Sequence, residues 1–240
     1  MSNQPNFQII ATIKTAWSNV KGSKKTFWAV LCLVILVRIV QSTISHAQTL
    51  YPHARMLQLG FLLCILITGF LSLLLDYGLC YIGAQRAMNS PIRFNMLRHT
   101  FTFEMLFKII GNVLLNFLIL LLPILLLLGS VAALCNLPHK IAWTICLILA
   151  VILMLFLMIR LSLSAVILAV EKVNPWRAVK RSFQATRGHC WKLFWLFILN
   201  SLIVIVSATP LGIGLIWTLP YFFINQGVIY QRLASSASLK

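Results

Sequence analysis

Acidic residues are what this chain has least of. Among 240 residues only Asp76, Glu104 and Glu171 are acidic, against 20 lysines and arginines. Charged residues make up 10% of the chain and hydrophobic ones 60%, with a mean hydropathy of +0.94. A soluble domain carries about a quarter charged residues, so this chain lacks the charge to wet a globular surface. Its apolar residues come in long blocks rather than stripes, which makes lipid the solvent for most of its surface.

Further absences narrow the chemistry. The six cysteines (Cys32, Cys64, Cys80, Cys135, Cys146, Cys190) form no CxxC pair and lie in or beside apolar segments. They read as small hydrophobes rather than as disulfides or metal ligands. His46 and His53 share a loop, but two histidines without a carboxylate or thiolate make a poor metal site. His99, His139 and His189 are scattered. No Gly-x-Ser-x-Gly elbow occurs and no histidine has an evident acidic partner, so no catalytic residue is named and no enzyme is expected. Gly212-Ile-Gly214 lacks the lysine and Ser/Thr of a phosphate loop. No cofactor is expected. No apolar region comes early enough to precede a cleavage site, so the first span is expected to serve as an uncleaved anchor.

The formal charge of +17 raises nucleic acid as a partner. The basic residues, however, fall in short segments between apolar blocks, where topology and anionic headgroups account for them. Nucleic acid is therefore not expected.

A helix needs about 20 apolar residues to cross the hydrocarbon core. Six stretches qualify: about 27–45, 57–80, 107–134, 141–170, 191–208 and 211–230, the last two separated by Thr209-Pro210. The expected fold is all-α: a single integral membrane domain over 1–240, a polytopic bundle of six transmembrane helices. The third and fourth stretches exceed one crossing and either tilt or project. Pro123 is expected to kink the third. With the N-terminus inside, sixteen lysines and arginines face the cytoplasm and only Arg55 and Lys140 face the other side. That asymmetry predicts both termini inside.

Two segments are amphipathic. Within 1–25, Phe7, Ile10, Ile13, Trp17 and Val20 make one stripe, with Gln8, Thr12, Lys14, Ser18 and Lys21 opposite. Within 174–187, Asn174 is a candidate N-cap and Pro175 suits the first helical turn. Trp176, Val179, Phe183 and Thr186 then face one way, Arg177, Lys180, Arg181 and Gln184 the other, and Gly188 ends the segment. Both periodicities suit helices lying on the inner membrane surface. A shorter stripe, Phe94, Leu97 and Phe101, precedes the third span. Together these suggest a unit of surface helix, outward span and inward span, of about 80 residues and used three times.

Ionisable groups at membrane depth default to functional hypotheses. Asp76 and Arg160 fall late in two inward-running spans, near the cytoplasmic boundary, where they are expected to pair. The pair reads either as a substrate or proton site, or as a structural pair that fixes helix register; the structural reading is preferred. Arg38 falls nearer the middle or outer half of the first span and is expected to snorkel outward past Gln41 and Ser42. Glu171 has Lys172 or Arg177 as expected partners. Arg177, Lys180, Arg181 and Arg187 form the basic membrane-surface set. Ser162, Ala165 and Ala169, like Gly83 and Ala87, put small side chains on one face, and Asn112, Asn116 and Asn200 supply interhelical hydrogen bonds or line a polar cavity.

The segment Leu161–Leu199, with Ala165, Glu171-Lys172, Pro175-Trp176-Arg177-Ala178, Arg181-Ser182-Phe183, Gly188, Trp191 and Leu193, resembles a loose group of uncharacterised bacterial six-helix inner-membrane proteins. The group is similar to the membrane domain of some glycerophosphodiester phosphodiesterases. Asp76-Tyr-Gly78, Ala84-Gln-Arg86, the Pro210–Gly214 turn, Pro220-Tyr221 and Gly227–Tyr230 fit the same pattern. The resemblance implies a bacterial inner-membrane location and six helices. It implies no activity, since the phosphodiesterase domain itself is absent. The expectation is a non-enzymatic membrane protein that binds lipid, chiefly anionic headgroups at the cytoplasmic face, or a membrane-protein partner or second copy. The alternative is a small transporter with a polar site near Asp76 and Arg160.

Overall fold

In the computed structural model, residues 8–22, 24–50, 55–92, 94–136, 140–209 and 214–234 are described. Phe7, His53, Arg93, the Pro138-His139 pair, the turn at 210–213 and Lys240 lie outside them, as do the side chains of Arg55, Phe94, His99 and Cys135. The described residues are helical apart from short connections. In chain order the helices are α1 (Ile9–Asn19), α2 (Lys24–Leu50), α3 (Arg55–Ala87), α4 (Phe103–Asn136), α5 (Lys140–Leu161), α6 (Ser164–Glu171), α7 (Pro175–Thr186), α8 (Cys190–Ala208) and α9 (Leu215–Leu233). A 3-10 turn, Phe94–His99, precedes α4. A short helical piece precedes each of the pairs α2–α3, α4–α5 and α8–α9.

Five stretches are long and apolar enough to cross a membrane: Thr26–Leu50, Leu57–Ala87, Phe103–Ala133, Lys140–Glu171 and Cys190–Ala208. At about 1.5 Å per residue, α3 and α4 are each near 50 Å long, well beyond a hydrocarbon core of about 30 Å. Helix α4 continues through Pro123. The fourth stretch is broken at Ser162-Leu163, where the Ser162 hydroxyl donates to the Ile159 carbonyl. That side-chain bond competes with the main-chain ladder and separates α5 from α6.

Helices α2–α3 and α4–α5 form two antiparallel hairpins. Burial is concentrated at one end of each. The second half of α3, the start of α4, all of α6 and one face each of α1 and α7 pack into two clusters that meet on α9. The other ends are bare: Leu57, Leu63, Ile67, Leu118, Leu122, Ile145 and Leu149 are all exposed. Apolar surface on that scale requires lipid around it. The molecule is therefore a packed base carrying two thinly covered hairpins.

Helix α9 is the keystone of the base. Tyr221, Ile224 and Val228 pack with Phe27, Val30, Leu75 and Leu79, while Ile229, Tyr230 and Leu233 pack with Ile109, Leu163, Ile167 and Leu193. Its approach to α3 is set by two glycines. A Cβ on Gly83 would lie 2.4 Å from the Phe223 carbonyl oxygen, and one on Gly227 would lie 2.6 Å from the Ala84 Cα. Such main-chain contact is the use small residues have at membrane helix crossings.

The last hairpin, α8–α9, differs from the other two. The Trp28 indole, four residues into α2, donates to the Ile216 carbonyl at 3.0 Å. Gly214 and Thr218 line a cavity of about 450 Å³ with Trp17, Val20 and Lys21. The start of α9 therefore lies beside the α1–α2 corner, at the base, whereas six equivalent crossings would put it with the other hairpin tips. The polar content of α9, with Thr218, Asn225 and Gln226 all buried, keeps it inside protein and out of the set of apolar spans.

The two amphipathic helices dock on the bundle by one face each, and each expected apolar stripe is split between that face and the outside. On α1 the buried residues are Thr12 and Ala16, followed by Val20 just past its end, while Ile10 is 81% exposed. On α7 they are Ala178, Val179, Ser182, Ala185 and Thr186, and Trp176 is exposed. In both, small side chains face protein because they permit close approach; Trp176 faces outward, while the half-exposed Trp17 meets the Tyr221 ring at 5.4 Å. Pro175 does start α7, and Gly188 (φ +81°) follows its end. Asn174 occupies the N-cap position, but its side chain makes no capping bond. We expect Gly83→Val or Gly227→Val to lower the melting temperature in detergent sharply, since neither main chain can retreat without opening the base. Gly129→Ala, where a Cβ meets open space, should leave it unchanged.

Candidate functional site

The expected Asp76–Arg160 pair does not form. Asp76 accepts from Arg38, whose Nη2 lies 3.1 Å from Oδ2. Counting residues from the span ends placed Arg38 too far out, because it ignored two things. Helix α3 runs past the start of α2, as Arg86 reaching Asn19 and Lys21 shows, and the long arginine side chain covers the remaining offset. Gln41 packs beside Gly69 in the same register. Arg38 therefore turns to α3, not outward to water. The pair is half-exposed, with side-chain exposures of 54% and 37%.

Arg160 is used elsewhere. Its Nη1 donates to the Phe183 carbonyl at 2.9 Å, and its guanidinium lies 5.0 Å from the Phe156 ring centroid and 5.7 Å from that of Phe183. Ser182 returns a hydrogen bond to the Arg160 carbonyl. Two hydrogen bonds and the cation–π contact with Phe183 thus fasten α5 to α7, while the Phe156 ring, on α5 itself, flanks the same guanidinium.

Glu171 pairs with neither Lys172 nor Arg177. It accepts from Arg181 of α7 through one oxygen and from the Tyr230 hydroxyl of α9, at 3.0 Å, through the other. One carboxylate therefore joins α6, α7 and α9. Next to it Lys172 adopts a left-handed conformation (φ 52°). Its carbonyl accepts from Lys108 at 2.7 Å, and Lys108 also pairs with Glu104 at 2.6 Å. Of the basic surface set, Arg181 is committed to this junction, while Arg177, Lys180 and Arg187 are exposed.

The asparagines make interhelical hydrogen bonds. Asn112 donates to the Tyr77 hydroxyl at 2.8 Å, Asn116 to the Ser164 hydroxyl at 3.1 Å, and Asn200 accepts from the Tyr221 hydroxyl at 2.7 Å. Asn225, buried on α9, has no side-chain partner among the described residues. Sequence reasoning passed over it and Gln226, although two amides in an apolar helix are a readable signal.

The larger omission was the role of Arg86 and Arg232, which were given no partner from the sequence. Arg86 donates to the Asn19 and Lys21 carbonyls at 2.9 and 2.7 Å, closing the C-terminal end of α1. Arg232 donates to the Thr12 and Thr15 hydroxyls and the Ala11 carbonyl at 3.0, 3.2 and 3.2 Å. Two arginines, from α3 and α9, thus hold α1 at both ends. Nothing in their spacing identifies a carbonyl partner, since any helix end provides one.

Long apolar helices around a packed base define a multi-pass α-helical membrane protein. The family model for proteins of unknown function DUF975 matches residues 11–237, and the chain belongs to that family. No curated protein and no solved structure matches it. We expect Arg232→Gln to raise amide exchange in α1 alone, and the double variant Arg86→Gln/Arg232→Gln to release α1 to protease while α2–α9 stay protected.

Proposed function

We propose that the protein is a non-enzymatic component of the bacterial inner membrane that binds lipid through its helix bundle and its basic cytoplasmic rim. The observation that carries this reading is an exposed rim on α7 and α8. Trp176, Trp191 and Trp195 are exposed there, interleaved with exposed Arg177, Lys180, Arg187 and Lys192. Indoles at the headgroup level and cations against anionic lipid are the two devices that seat a protein at a cytoplasmic interface. A membrane-protein partner or a second copy would meet the same rim and the bare faces of α2–α5. Kinship with the membrane domain of the glycerophosphodiester phosphodiesterases is part of this proposal and rests on the Leu161–Leu199 segment.

The proposed topology keeps both termini in the cytoplasm, and the bond from Arg232 to α1 supports their lying together. Helices α2–α5 make four crossings. The position of Ile216 beside Trp28 favours an α8–α9 hairpin that stays with the cytoplasmic base instead of adding a fifth and sixth crossing. A transporter centred on Asp76 and Arg160 loses its main support, because those groups have different partners.

Native mass spectrometry of the full chain released from mixed-lipid nanodiscs tests the binding reading. Reversal of Arg177, Lys180 and Arg187 to glutamate, leaving Arg181 in place to hold Glu171, should reduce retained anionic lipid at least about tenfold. Undiminished retention would contradict the reading. For the topology, Thr209→Cys should react with a membrane-impermeant thiol reagent only in inside-out vesicles, in a background where Cys32, Cys64, Cys80, Cys135, Cys146 and Cys190 are serine or alanine. Reaction from the outer face would restore six crossings.

A further inference from the structure

The seam between α2 and α3 differs from the apolar faces around it. Its deepest member is the Arg38–Asp76 pair, about 16 Å along α3 from the Ala87 end at 1.5 Å per residue. One guanidinium N–H group meets one carboxylate oxygen, which leaves most of five donors and of about four acceptor sites unspent. Both side chains are partly open, at 54% and 37% exposure, among the exposed apolar residues Leu36, Ile39 and Val40. The open side of the pair therefore faces lipid. Gln41, Ser45 and Gln48 continue a polar line from Arg38 at helical spacing. The line ends at a cleft of about 360 Å³ lined by Gln48, Gln58, Leu59 and Leu62. Gln41 lies against Gly69 of α3, its amide nitrogen 3.5 Å from where a Cβ would sit.

Half-exposed charges among lipid chains are costly unless complemented. We propose that the Arg38–Asp76 pair is a seat for the headgroup of a zwitterionic ethanolamine phospholipid, reached along the Gln41–Ser45–Gln48 line. Its phosphate takes the free arginine donors and its ammonium the free carboxylate acceptors, so four charges neutralise one another. An anionic headgroup would satisfy Arg38 but set a second negative charge against Asp76. This site deepens the lipid-binding reading and rests on it, but it is separate from the basic rim on α7.

The test uses the full chain in nanodiscs of mixed ethanolamine and glycerol phospholipids, read by native mass spectrometry. The wild type should retain one ethanolamine phospholipid at energies that strip the annulus. Arg38→Gln should lower that retention at least about tenfold. Asp76→Asn should switch preference to the glycerol headgroup, a change in selectivity that a purely structural pair would not produce. If Arg38→Gln fails to fold, the Asp76→Asn selectivity carries the test. Equal retention in the variants, a wild-type preference for glycerol phospholipid, or a dimer with no lipid held would overturn the seat. If anionic lipid is held and follows Arg177, Lys180 and Arg187 while no ethanolamine lipid follows Arg38, the seat fails and the wider reading stands. If no lipid is held at all, both fail.

Discussion

Scarcity of carboxylate governs how this molecule is put together. Twenty cations share three acids, and the three are spent on Arg38, Lys108 and Arg181. Cations that the fold draws inward need more negative charge than three acids supply, and the main chain provides it. Carbonyls left unpaired at helix ends carry partial negative charge and accept strongly from cations. Arg86 closes α1 in this way, Arg160 holds α7 by the Phe183 carbonyl, and Lys108 holds the end of α6. A basic chain thereby builds interhelical junctions from its own backbone.

These junctions all lie at one end of the molecule, and that end is also where side chains are buried. The glycine contacts of α3 with α9 bring main chains together there, and the Glu171–Arg181–Tyr230 junction ties three helices at the same level. Beyond it, α2–α3 and α4–α5 separate into hairpins whose apolar faces have no protein cover. Among apolar lipid tails there is no hydrophobic gain in packing leucine on leucine, so nothing forces the hairpins together. Polar bonding and small-residue contact do the assembling, and both are confined to the base.

Composition was enough to read the class and the long helices, because a block of twenty apolar residues allows few alternatives. Pro175 and Gly188 marked the limits of α7 for local reasons of backbone geometry. What sequence could not supply was relative placement. Equal depth counts made Asp76 and Arg160 look like partners, and only the register of α2 on α3 brings Arg38 to Asp76 instead. The apolar stripes of α1 and α7, read for a membrane surface, did not say which residues meet the bundle. Against protein, alanine, serine and threonine pack closer than tryptophan does. Helix α9 read as a span by length and apolar content, yet its amides and Gly227 belong to a buried crossing.

The central claim is that α8 and α9 belong to the packed base rather than crossing with the other hairpins. Spin labels at Ser207 and Lys21, and at Ser207 and Leu50, measured by pulsed dipolar spectroscopy in bilayers, test it most directly. Helix α2 is about 40 Å long at 1.5 Å per residue, so the two distances cannot both be short. The account predicts a short distance to Lys21 and a long one to Leu50; the reverse would contradict it.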